Sequence, residues 1–139
     1  DLGDPRIKAA IVISSPPFYG EARPQRILGS VKVPSLHITA TEDLIAIPGY
    51  FSGTDDRLAV FDAIGSARKL LAVFEGGSHS MFTDRPTTGG ADLNPKVKVA
   101  TKELALAFLQ SVFDGDHAAL EAWPRRFAGL LARFVATAG

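Results

Sequence analysis

The sequence predicts an α/β fold, and three observations carry that prediction. Short apolar, β-branched runs alternate with stretches of helical periodicity, as parallel strands and their crossover helices do. Proline and glycine cluster at the ends of these runs, where turns are needed. The 139 residues are 46% apolar and 22% charged, which suits one domain spanning residues 1–139 with a sizeable core.

The first run, Ile7-Lys8-Ala9-Ala10-Ile11-Val12-Ile13-Ser14, lies between Asp4-Pro5 and Ser15-Pro16-Pro17 and reads as a buried strand. Residues 15–34 hold Pro16, Pro17, Gly20, Pro24, Gly29 and Pro34 and read as a long loop with at most one helical turn. Residues 35–40 form the second strand and 41–53 a loop. Thr54 is the expected N-cap of a helix, with Asp55 and Asp56 at its positive end. Leu58, Phe61 and Ile64 form its apolar stripe, and Gly65 suits a left-handed C-cap.

Residues 70–74 are the third strand, followed by a loop over 76–95. Asn94-Pro95 reads as the cap and first position of an amphipathic helix. Its apolar face runs from Val97 through Leu104 and Phe108 to Val112, and Asp114-Gly115 stops it. A last helical region starts at Asp116. There Pro124 begins or kinks a second helical piece whose apolar face carries Phe127, Leu130, Leu131, Phe134 and Val135.

Fifteen Lys and Arg balance fifteen Asp and Glu. That balance argues against a nucleic-acid module and against a polybasic membrane anchor. There is no cysteine, so disulfides, thiolate zinc sites and cysteine nucleophiles are excluded from this chain. No apolar run approaches the ~20 residues that span a bilayer. The opening Asp1-Leu2-Gly3-Asp4-Pro5-Arg6 has neither the basic nor the apolar region of a signal peptide.

In an open parallel sheet, sites form beyond the carboxyl ends of the strands. Thr41-Glu42-Asp43 follows the second strand and Gly76-Gly77-Ser78-His79 the third. An acid and a histidine are thereby expected on one sheet edge. A carboxylate that accepts a hydrogen bond from one imidazole nitrogen leaves the other to take a proton from a nucleophile. Asp43 is the expected acid, with Glu42 its rival, and His79 the expected base. Phe18, Tyr19, Tyr50, Met81 and Phe82 are candidates for an apolar acyl pocket. Ser15, at a strand end, lacks the glycines of a nucleophile turn. His37 reads as a satisfied core histidine and His117 as solvent-facing. Neither pairs with His79 at metal-ligand spacing, so no metal site is expected.

The tract Val33-Pro34-Ser35-Leu36-His37-Ile38-Thr39-Ala40-Thr41-Glu42-Asp43-Leu44-Ile45-Ala46 resembles the acid-bearing strand and loop of α/β-hydrolases. The likeness is to their dienelactone-hydrolase and polyester-hydrolase-like branch. Glu75-Gly76-Gly77-Ser78-His79-Ser80-Met81-Phe82 resembles that branch's histidine loop, and Asp4-Pro5-Arg6-Ile7-Lys8-Ala9-Ala10 the entry to the strand after the nucleophile helix. Acid before histidine is the family's chain order. The family's G-x-S-x-G elbow is absent from these residues.

The resemblance implies the C-terminal half of an α/β-hydrolase fold, parallel strands with flanking helices, acting on a small-molecule ester without a cofactor. Asp43 and His79 would serve a serine on a missing N-terminal segment. The expected partner is that N-terminal half or a second copy. The alternative is a non-catalytic α/β module acting through binding or oligomerisation.

Overall fold

A computed structural model describes residues 3–16, 21–82 and 90–137. In chain order the elements are β1 (Ala10–Ile13), α1 (Gln25–Leu28), β2 (Ser35–Glu42), β3 (Ile45–Ile47), β4 (Tyr50–Ser52), α2 (Thr54–Ala63) and β5 (Lys69–Ser78). A 3-10 turn over His79–Phe82 leads towards α3 (Gly90–Phe113) and α4 (Ala118–Arg126). A second such turn, Ala128–Leu130, precedes β6 (Leu131–Ala136). The main sheet has the order β1-β2-β5-β6, parallel except for β6, which runs antiparallel to β5. The chain is therefore a mixed α/β protein with a mostly parallel sheet flanked by helices.

Both faces of the central strands are covered, so each carries apolar residues at a two-residue spacing. On one face Leu36, Ile38, Ala40, Leu70, Ala72 and Phe74 pack with Val97, Ala100, Leu104, Ala107 and Phe108 of α3 and Leu120 and Trp123 of α4. Trp123 holds this layer together. Its ring lies 6.2 Å from Phe74, 5.7 Å from Phe134 and 5.3 Å from Phe127. Its indole N–H donates to the Ala100 carbonyl at 2.9 Å, so burying the ring leaves no orphan donor. On the other face Leu71 and Val73 pack with Phe61 of α2. His37 joins that layer, its Nε2 3.0 Å from Ser35 Oγ and its ring edge-on to Phe61.

Several boundaries differ from the expectations. The helix predicted beyond Pro124 ends at Arg126, and residues 131–136 form β6 instead. The register against β5 slips between Val73 and Phe74, so Leu131 opposes Phe74 and Arg133 opposes Val73. Ala132 is thus the extra residue of a bulge, and a bulge reverses the alternation of faces. Leu131 and Phe134 then fall against one core layer and Val135 against the other. An apolar spacing of three and one imitates a helix for that reason.

Gly53, not Thr54, caps α2, and its N–H donates to Asp56 Oδ2 at 3.3 Å. Gly65 is not a left-handed cap. A Cβ there would lie 2.0 Å from the Gly29 carbonyl oxygen, so the residue serves a close backbone approach. Helix α3 starts at Gly90 and carries Pro95 inside its body. The loop over 41–53 holds a hairpin, β3 against β4, turning at Pro48-Gly49 with Gly49 at φ +80°. Among the described residues, no helix is long and apolar enough to cross a membrane.

Candidate active site

Strands β2 and β5 run parallel and adjacent, so their carboxyl ends deliver Asp43 and His79 to one edge. Thr41 Oγ1 accepts from the Gly76 N–H at 2.7 Å and ties the two strand ends together. Past β2 the chain turns back sharply, the Asp43 N–H donating to the Ala40 carbonyl at 3.2 Å. This folds Asp43 inward to 0% exposure, while its neighbour Glu42 points to solvent. Of the two candidate acids, only Asp43 faces the interior.

Burying a carboxylate is costly unless its oxygens are matched. Asp43 is matched on both. Oδ2 accepts from Ser14 Oγ at 2.5 Å and from Thr39 Oγ1 at 2.7 Å. Oδ1 lies 2.9 Å from His79 Nδ1, with Arg57 Nη2 at 3.6 Å. An ionised carboxylate only accepts, so this contact assigns the Nδ1 proton to His79 and leaves Nε2 as the basic nitrogen of the neutral ring. The histidine side chain is 42% exposed, which puts its ring within reach of an incoming group.

The local sequence fixes this placement. Gly76 takes φ +79°, allowing β5 to break into the 3-10 turn that begins with His79. At Gly77 a Cβ would lie 1.7 Å from the Met81 sulfur. The Met81 side chain fills the space that a side chain at 77 would need. Met81 is thereby drawn into the core, and Phe82 packs half-buried against it, 6.3 Å from the Phe74 ring. Tyr50 sits half-buried on the β3–β4 hairpin. Phe18 and Tyr19 lie outside the described residues.

Three contributors escaped the sequence reading. Ser14 adopts φ +50°, the single non-glycine with positive φ among the described residues, a conformation that costs energy and concentrates at functional sites. Thr39 continues a polar line along β2 after Ser35 and His37, and that two-residue spacing was a usable signal. Arg57 is buried on the inward side of α2, one turn before Val60 and Phe61. Its Nη1 donates to Ser52 Oγ and, at 3.2 Å, to the Gly53 carbonyl. A cation in line with the apolar stripe of a helix marks such a role.

Ser15 donates its hydroxyl to the Pro16 carbonyl at 3.3 Å. His117 is exposed, its Nδ1 2.5 Å from Ser111 Oγ. Burial lowers the His37 pKa to about 4, with the Lys69 charge adding to the effect. Among the described residues, no group of three or more histidines and carboxylates could hold a metal ion. The chain matches no protein-family model and no curated protein, so the chemistry of the Asp43–His79 site is read from its geometry.

Proposed function

We propose that Asp43 and His79 are the acid and base of a nucleophile–histidine–acid hydrolase of the α/β-hydrolase type, acting on carboxylic esters. The observation that carries this reading is the 2.9 Å contact between a fully buried carboxylate and Nδ1 of a part-exposed imidazole. Both groups lie past the carboxyl ends of adjacent parallel strands. The nucleophile, a serine by resemblance, is assigned to a segment not among these residues.

In this mechanism the nucleophile's oxygen attacks the ester carbonyl as His79 Nε2 takes its proton. The tetrahedral intermediate collapses, the C–O bond to the alcohol breaks, and the imidazolium returns the proton to the leaving oxygen. Water then attacks the acyl group with His79 again as base, releasing the acid and restoring the nucleophile. Asp43 stays ionised throughout. It holds the imidazole in its working tautomer and stabilises the transient cation. Ser14, Thr39 and Arg57 are positioning residues that keep the carboxylate oriented.

The test is ester turnover by the polypeptide that carries the nucleophile. His79→Ala is expected to lower kcat by about 10³-fold or more, and Asp43→Asn by a comparable factor. A loss under about tenfold for His79→Ala, far below what triad removal causes, overturns the assignment.

A further inference from the structure

Helix α3 presents an apolar line that the described fold leaves uncovered. Val99, Leu106 and Phe113 are 53%, 57% and 61% exposed. Their seven-residue spacing keeps them on one side of the helix, over about 21 Å. The opposite side of α3 is buried in the core through Val97, Ala100, Leu104 and Phe108. Beside Val99 opens a groove of about 590 Å³, with Phe127 and Leu130 in its wall and Lys96 and Arg126 at its rim. Arg126 is also held by Glu103, at 2.7 Å.

Charge divides along the same helix. Lys96 and Lys98 lie in its first half and Lys102 just past its middle, beside the Glu103 that pairs with Arg126, while Asp114 and Asp116 follow its end; the lysines and both aspartates are exposed. We infer that this face pairs two copies of the chain, with their α3 helices antiparallel about a two-fold axis near Leu106. Leu106 then meets Leu106 of the other copy. Phe113 of each copy enters the groove beside Val99 of the other, and the acidic turn after Phe113 comes to the cationic rim at Lys96. A parallel pairing would set lysines against lysines. The patch is self-complementary in shape and in charge, as a two-fold interface requires, and it supplies an aromatic anchor with a pocket to receive it.

This pairing is independent of the ester-hydrolase reading. Its test is sedimentation equilibrium of the full 139-residue chain with three variants, each checked for unchanged helical circular dichroism. The chain itself is expected to be a dimer at micromolar concentration. Phe113→Asp and Leu106→Asp should each weaken it by about 30-fold or more, the scale of an interface anchor. Ile13→Asp, on the exposed edge strand β1, should leave it intact. A monomeric parent chain overturns the proposal, and so does a dimer that survives Phe113→Asp. Loss of the dimer in Ile13→Asp also overturns it and moves the interface to the sheet edge.

Discussion

Acidification should destabilise this protein through one buried histidine, His37 of β2. In the folded chain His37 titrates near pH 4, because burial between β2 and α2 disfavours its charged form and Lys69 repels it. Lys69 is fixed there, its Nζ donating to the Phe61 carbonyl at 2.6 Å and lying 4.6 Å from the Phe61 ring centroid. Unfolded, the imidazole returns to its ordinary value near 6.5. Between those two values the unfolded chain binds a proton that the folded chain does not, so stability falls as pH falls. The contribution is fully present above about pH 6.5 and is lost by about pH 4, a change of about 3 kcal/mol.

Urea unfolding followed by circular dichroism measures this directly. With a slope of about 1–3 kcal/mol per molar urea, the midpoint should drop by about 1–3 M across the window. Carboxylates titrate in the same range, and His37→Leu removes only the imidazole's share. The parent should therefore lose about 3 kcal/mol more than His37→Leu over the window. Parallel pH profiles for the two proteins would refute the argument.

Two other substitutions probe the scaffold of the site. Gly77→Ala puts a methyl group where the Met81 sulfur sits and should cost about 1–3 kcal/mol in urea unfolding, the range for overpacked cores. An unchanged midpoint would show that Met81 can move aside. Arg57→Met removes the guanidinium 3.6 Å from Asp43 and should destabilise by about 3–5 kcal/mol, because the carboxylate stays buried without it. Arg57→Lys should recover only part of that loss, since an ammonium cannot reach Ser52, the Gly53 carbonyl and Asp43 with one fork. Full recovery would assign Arg57 a charge role alone.

The two residues at the centre of the site were legible because their signals are local. His79 follows two glycines at a strand end, and Asp43 ends the strand beside it, so parallel topology alone brings them to one edge. His37 was legible as core for a similar reason, standing mid-strand between apolar neighbours. Ser14 and Arg57 were not read, because each meets Asp43 only through the fold, whereas Thr39, four residues before Asp43, sat on a polar spacing that went unused. Ser14 reaches Asp43 across 29 positions, and no periodicity encodes that meeting. Strand β6 was misread because its bulge restores helix-like spacing to a segment with both faces covered. The full burial of Met81 was not legible, since only the space above Gly77 reveals that its side chain turns inward.

Strand β5 lies between β2 and β6, and the order in which the chain is made gives this arrangement a temporal side. The β2–β5 ladder that aligns Asp43 with His79 can form as soon as residue 78 is available. The other side of β5 stays open until residues 131–136 arrive, with helices α3 and α4 made in between. Long-range antiparallel closure of this kind is the slow part of assembly and leaves a strand edge unprotected while it waits. A pause in synthesis before residue 131 would therefore hold the acid–histidine pair on a half-finished sheet, open to pairing with the wrong strand. Until β6 arrives, the open side of β5 is the edge at which mispairing competes with native closure.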